Sequence, residues 1–193
     1  MNAGNEPDPV LVVRSLSGDQ SAFTALARRH GPRLARTAKA LGVTPDEVED
    51  VVQQALVSAW RALAEYDLSK PFVAWVTVIT ANKARDWRRH KRSKRWWSEG
   101  PAFDQDEVLN VEDPLAGAET LELRAQLRQV SIALQGLPDK FRIPLVMVTV
   151  TGLSQREAGA ALGITEKAVE IRVRRARQLL AERLQGRQIA GAL

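Results

Sequence analysis

GLSQREAGAALGITEKAVEIRVRRAR, residues 152–177, holds two helix starts and one helix stop. Ser154-Gln155-Arg156-Glu157 has the form of a capping box, in which serine and glutamate each satisfy the other's backbone amide. Gly163 marks a tight turn, and Thr165 can cap the helix that follows. Leu153, Ala158, Leu162, Ile164, Val169 and Val173 are spaced so that two short helices pack across that turn, which is the pattern of a helix-turn-helix. At 100° per residue Val169, Val173, Ala176 and Leu180 form one stripe. Lys167, Glu170, Ile171, Arg174, Arg175 and Gln178 lie opposite. Such a face suits a major-groove reader, with arginine for guanine, glutamate for the cytosine amino group and isoleucine for a thymine methyl. The plainer alternative is a solvated charged helix, but it does not account for cap, turn glycine and apolar spacing falling together.

The charge pattern points the same way. The chain has 193 residues, 28 Lys+Arg against 23 Asp+Glu, and is 45% hydrophobic, with a pI of about 10. Lys83 to Arg95 contains eight bases and one acid, Asp86, whereas Glu99 to Glu119 contains seven acids and no base. Lys167 to Arg177 is basic again, with five bases and Glu170 alone. Two basic segments flanking an acidic connector suit two nucleic-acid-facing modules on a tether. With no Cys and two isolated histidines, His30 and His90, there is no disulfide, no thiolate zinc site and little for a histidine metal centre. No cofactor is expected. No run approaches a membrane span and no signal peptide is read, so the chain is expected in the cytoplasm.

Helical signals run through most of the sequence, without an internal repeat. Asp19 can cap a helix through Phe23, Leu26, Leu34 and Ala38, with a kink expected at Gly31-Pro32. Thr44-Pro45-Asp46-Glu47 predicts a second capping box and a helix from Pro45. On it Val48, Val52, Ala55, Leu56, Ala59 and Leu63 face a core, while Asp50, Gln53, Gln54, Val57 and Arg61 share the other side. Periodicity alone reads that side as wet surface. A further helix spans Pro71 to Trp96, with Phe72, Trp75, Val76 and Ile79 as its apolar stripe. Its basic end interleaves with Trp87, Trp96 and Trp97, a mixture that can stack unpaired bases and bind phosphates; solvated charge explains the bases equally well. Trp75 reads as core. Trp97 to Ala116 shows no sustained period and reads as a linker. Helices resume over Gly117–Gln135, Pro138–Val150, Ser154–Leu162 and Glu166–Leu184, with Pro144 predicting another kink.

Several of these blocks together resemble one family. Asp50-Val51-Val52-Gln53-Gln54-Ala55-Leu56, Tyr66 to Pro71, Phe72-Val73-Ala74-Trp75 and Asn82-Lys83-Ala84-Arg85-Asp86-Trp87 look like region 2 of bacterial extracytoplasmic-function sigma factors. Gly152 through Arg177 looks like their region 4. The likeness runs from about Pro9 to Leu184, and the order of the blocks is more specific than any one of them.

This resemblance implies an all-α protein of two small helical domains joined by an acidic flexible linker: region 2 over 9–97, linker over 98–116, region 4 over 117–185 and a tail over 186–193. It implies a non-catalytic specificity subunit that docks on core RNA polymerase through the β′ clamp helices, by Asp50, Gln53, Gln54 and Arg61, and through the β flap. Gln54 stands where the family usually has an acid, so one charge is missing there. The loop before Phe72 resembles one that captures a flipped -10 base, with Tyr66 at an aromatic position. Asn82, Lys83, Arg85, Trp87, Arg88 and Arg89 would meet -10 DNA, and Lys167, Glu170, Ile171, Arg174, Arg175 and Gln178 the -35 element. Glu170 and Ile171 depart from the commoner basic and small residues, which implies an unusual -35 sequence. The linker would occupy the polymerase's template and RNA channel, although by composition it reads equally as a solubilising tether. An anti-sigma factor would occlude the docking faces, and the free chain would be a monomer.

Two other classes are distinguishable. A stand-alone helix-turn-helix regulator would not need the Asp50 to Trp97 block. An enzyme would need a phosphate-cradling glycine loop, a Cys nucleophile or spaced metal ligands, which the sequence lacks.

Overall fold

Asp19 opens its helix as the sequence predicts: the carboxylate accepts from the amides of Ser21 at 2.9 Å and Ala22 at 3.3 Å. The structure, a computed structural model, describes residues 6–99 and 121–190. Those residues form helices α1 (Asp8–Leu16), α2 (Gln20–Ala40), α3 (Val48–Arg61), α4 (Phe72–Glu99), α5 (Leu121–Gln135), α6 (Asp139–Thr149), α7 (Gln155–Leu162) and α8 (Glu166–Ala190), with no strand among them.

The hydrogen bond from the Ser21 hydroxyl, followed by the Arg14 guanidinium, lowers the Asp19 carboxyl from 3.8 to about 2. Because the folded value lies below the unfolded one, this stabilisation is complete above about pH 3.8 and is lost as the pH falls through about 2. Asp19→Asn keeps a capping oxygen but cannot titrate. Its stability is expected to fall less steeply than that of the parent between pH 4 and pH 2, as followed by circular dichroism during acid titration; parallel curves would overturn this.

Two local expectations are corrected, the capping box at Thr44 and the end of the last helix. Helix α2 runs through Pro32 as one element. Pro32 lies on its exposed side, and Leu26, His30, Leu34 and Thr37, all buried, anchor both halves. At Thr44 no capping box forms: Pro45–Glu47 is a 3-10 turn without a side-chain cap, and α3 starts at Val48. Glu47 instead pairs with Lys91 of α4 at 3.1 Å, so its carboxylate is committed elsewhere. Helix α8 continues to Ala190, past the expected end at Leu184 and into residues read as tail. Pro144 is buried inside α6, which is likewise continuous. Of the expected linker, residues 100–116 lie outside the described residues, as do 117–120 of the next predicted helix; α4 takes in 98 and 99.

The predicted stripes do face inward. Leu26, Leu34, Val48, Val52, Ala59, Leu63, Phe72 and Val76 join Leu11 and Val12 of α1 in one apolar cluster. Val51, which the sequence reading left aside, is buried with them. Leu145, Met147, Leu153, Ala158, Val169, Val173 and Ala176 form a second cluster among α6, α7 and α8. The clusters are not separate: Val146 of α6 belongs to the first and Ala74 of α4 to the second. A seam therefore joins α2 and α4 to α5, α6 and α7, a packing the sequence did not indicate.

Candidate nucleic-acid interface

The C-terminal surface is built from local signals. Ser154 Oγ accepts from the Glu157 amide at 3.1 Å and Glu157 Oε2 accepts from the Ser154 amide at 2.8 Å, so the capping box is complete. Hydrogen bonding from Ser154 also holds the Glu157 carboxyl below its usual range. Gly163 takes the left-handed conformation, φ 67°, that ends α7 without a Cβ clash. Thr165 Oγ1 accepts from the Ala168 amide at 3.1 Å and starts α8. Gly159, not singled out from sequence, matters as much: a Cβ there would lie 2.8 Å from the Ile164 carbonyl oxygen, so only glycine lets the turn close on α7.

With Val169, Val173 and Ala176 buried, α8 turns Lys167, Ile171, Arg174, Arg175 and Gln178 outward, and Glu170 is half-buried. Ile171 is 47% exposed, an unusual setting for a large apolar side chain on a charged face. Lys167 Nζ donates to Glu170 Oε2 at 2.7 Å, and this bond holds the Glu170 carboxyl below its ordinary value. Arg175 donates to Gln178 Oε1 at 3.4 Å. The Glu170 carboxylate is thus already engaged by a side chain of its own helix.

On α3, Asp50, Gln53, Gln54 and Arg61 are all exposed, together with Val57. Trp60 shares this exposed surface and was missed from sequence; its ring meets Phe23 edge-on at 4.9 Å. A polar face with an exposed tryptophan and valine is apolar enough to dock a partner.

The α4 residues divide. Asn82, Arg85 and Arg89 are exposed, while Lys83 is half-buried. Arg89 pairs with Asp86 at 3.2 Å. Trp87 packs against the N-terminal cluster with Lys91 over its ring at 5.5 Å, so its indole is not a free stacking surface. The Arg88 side chain is 13% exposed, and its Nη2 donates to Asp139 Oδ1 at 2.8 Å. Tyr66 is buried too: its ring packs on Phe72 and Trp75, and its hydroxyl donates to the Lys70 carbonyl. Burial, then the nearby Asp8 and Asp67 carboxylates, push that hydroxyl up to about 12. Asp67 Oδ1 accepts from the amide and hydroxyl of Ser69, so the loop from Tyr66 to Pro71 has a set shape, with Leu68 outward. The side chains of Trp96 and Trp97 lie outside those described.

Among the described residues no group of His, Asp or Glu could hold a metal ion, and no helix is long and apolar enough to cross a membrane. The family model for sigma-70 region 2 matches residues 26–94, and that for sigma-70 region 4 matches 127–180. The RNA polymerase sigma factor CnrH of Cupriavidus metallidurans is 35% identical over 91% of this chain and 93% of its own length. The ECF RNA polymerase sigma-E factor of Escherichia coli is 30% identical over 92% of this chain and 94% of its own. Among solved structures, CnrH in complex with the cytosolic domain of CnrY superposes with a TM-score of 0.69 at 34% identity, covering 94% of this chain and 99% of that one. Sigma factor RpoE of Bartonella quintana, in complex with the anti-sigma factor NepR, gives 0.64 at 25% identity, covering 84% and 96%.

Proposed function

The chain belongs to the extracytoplasmic-function branch of the sigma-70 family, and on that footing we propose that its exposed faces divide the work of promoter recognition. It is a non-catalytic specificity subunit: it binds core RNA polymerase, recognises the -35 and -10 promoter elements and directs initiation. Asp50, Gln53, Gln54 and Arg61, with Trp60 beside them, dock on the β′ clamp helices, and the C-terminal domain meets the β flap. Lys167, Glu170, Ile171, Arg174, Arg175 and Gln178 read the -35 element in the major groove. Asn82, Lys83, Arg85 and Arg89 hold the -10 strand, and the Tyr66 to Pro71 loop receives an extruded base, whose capture offsets a few kcal/mol of unstacking and traps the melted state. Because Tyr66 and Trp87 are packed inward, they support the loop and helix from beneath. Arg88 joins the strand only once Asp139 releases it. We assign 9–97 to the first domain, 117–185 to the second and the cytoplasm as the place of work.

The observation that carries this reading is the pairing of two family regions with outward-facing polar residues at the matching positions of α3, α4 and α8. The structures of relatives in complex with the cytosolic domain of CnrY and with the anti-sigma factor NepR support control by an anti-sigma factor, which binds the free monomer. Transcription with purified core polymerase tests the proposal: RNA must start at a matching promoter only when both are present. A duplex shift without polymerase and no RNA with it would favour a stand-alone regulator. Arg175→Ala is expected to weaken -35 recognition by about 1–3 kcal/mol, roughly 5- to 150-fold, and to leave polymerase binding intact. Equal loss of both would refute the division.

A further inference from the structure

The outer side of α2 carries cations that the assignments above leave unused. Residues 20–45 contain five bases, Arg28, Arg29, Arg33, Arg36 and Lys39, and no acid. Arg29 is held by Asp8 at 2.5 Å, and Arg33 is half-buried. Arg28, Arg36 and Lys39 are exposed, and among the described residues none of the three has an ion-pair or side-chain hydrogen-bond partner. At 100° per residue they fall within about 80° of one another, opposite the buried Leu26, Leu34 and Thr37, and make a stripe about 16 Å long. Its C-terminal end approaches the basic half of α4. A Cβ at Gly42, in the turn after α2, would lie 3.5 Å from Arg88 Cδ.

We propose that this stripe is a further, sequence-independent DNA contact, which takes phosphates of the promoter duplex adjoining the -10 element. The proposal rests on the sigma-factor reading above. Two observations choose nucleic acid over a protein partner. A protein-docking face needs an apolar centre, such as α3 offers with Val57 and Trp60, whereas α2 exposes no large apolar side chain. The base-reading face of α8 mixes an acid, an amide and an isoleucine with its cations, whereas the α2 stripe has only Pro32 and Ala35 between its cations. Cations spaced along a line, without groups that distinguish bases, are what a phosphate backbone requires. Two of the three are arginines, whose planar guanidinium can meet two phosphate oxygens at once. At ~3.4 Å of axial rise per phosphate on each strand, about 16 Å of helix passes four or five phosphates, enough to serve three cations. The stripe thus adds affinity and leaves sequence reading to α4 and α8.

Holoenzyme assembled from core polymerase and the triple variant Arg28→Gln/Arg36→Gln/Lys39→Gln tests this through the salt dependence of promoter binding. The slope of log affinity against log salt is expected to flatten by about 2–3, at ~0.9 per lost phosphate contact, and affinity at ~0.15 M salt to fall about tenfold. That loss should be the same on promoters with altered -10 or -35 bases, and affinity for core polymerase should not change. The variant Arg28→Lys/Arg36→Lys keeps the charge and should keep the slope. Unchanged slope and affinity in the triple variant would overturn the proposal, as would a loss that depends on the promoter bases. Weaker polymerase binding with no change of slope would also overturn it, and would mark the stripe as a contact for an acidic protein surface. Should the triple variant not fold, Lys39→Gln alone decides: a slope flatter by about 1 supports the proposal and an unaltered one overturns it. If the unmodified chain with core polymerase neither binds a matching promoter nor starts RNA there, it is the sigma-factor reading that falls.

Discussion

Phe72→Ala is expected to lower the unfolding free energy by about 3–5 kcal/mol, the range for deleting a large buried aromatic side chain. Phe72 is 1% exposed, and its ring meets those of His30, Tyr66 and Trp75 at centroid distances of 5.5, 5.7 and 5.7 Å. Removing it leaves a cavity that these neighbours cannot fill. His30 is tied by its Nε2 to Asp8 Oδ2 at 2.8 Å, and Tyr66 is tied by its hydroxyl to Lys70. Burial alone would raise the Asp8 carboxyl, but hydrogen bonds from His30 and Arg29 outweigh it and hold that group below its usual value. The cluster is thus pinned at two corners, and collapse is resisted. Set against a total of about 5–15 kcal/mol for a typical domain, such a loss is a large share of the whole. Urea denaturation provides the measurement, with Val57→Ala as the control. Val57 is 46% exposed on α3, so its loss should shift stability by less than about 0.5 kcal/mol while touching the proposed polymerase contact. Equal midpoints for the parent and Phe72→Ala would show that the ring is not the keystone of the N-terminal core.

The second large effect is expected at Asp139, and charge bookkeeping decides which partner matters most. Arg142 is 2% exposed and donates to the Gln135 carbonyl at 2.7 Å as well as to Asp139. Arg142→Ala leaves the carboxylate still paired with Arg88. Its cost is therefore a lost carbonyl partner and lost packing of the arginine stem, about 2–4 kcal/mol. Asp139→Ala instead leaves two guanidiniums facing each other in the seam. The Nε atoms of Arg88 and Arg142 already lack partners among the described residues, and the Gln135 carbonyl that Arg142 also reaches is neutral, so it does not replace the lost negative charge. Breaking a buried pair in this way costs about 3–5 kcal/mol, and because Asp139 is 31% exposed the lower end applies. Removing Arg142 as well should restore part of the loss. Thermal unfolding of the two single variants and the double variant tests this; a double variant less stable than Asp139→Ala, with the losses simply adding, would contradict shared use of one carboxylate.

What the sequence determined by itself is whatever is encoded within about one helical turn. Ser154 and Glu157 find each other, Asp19 finds the amides of Ser21 and Ala22, and Gly163 ends α7, because each of these contacts spans only a few residues. Apolar spacing likewise selects the buried sides of α3 and α8, since a period of 3.6 residues sorts side chains by face whatever covers them. The same local logic over-read Thr44, where Glu47 is drawn to Lys91.

Only the tertiary structure decided what covers each face. Trp87 looked like a stacking surface and lies against the N-terminal core; Tyr66 looked like a base-meeting ring and is packed beneath the loop. Arg88 was one more cation in a basic run until Asp139, 51 residues away, took it, and Thr37 meets Thr151 across 114 residues. Periodicity states that a side chain leaves water and is silent on its neighbour, because the free energy of burial is nearly the same against any apolar partner. The partner is chosen by shape and by the pairing of buried polar groups, and both depend on residues far away in the chain.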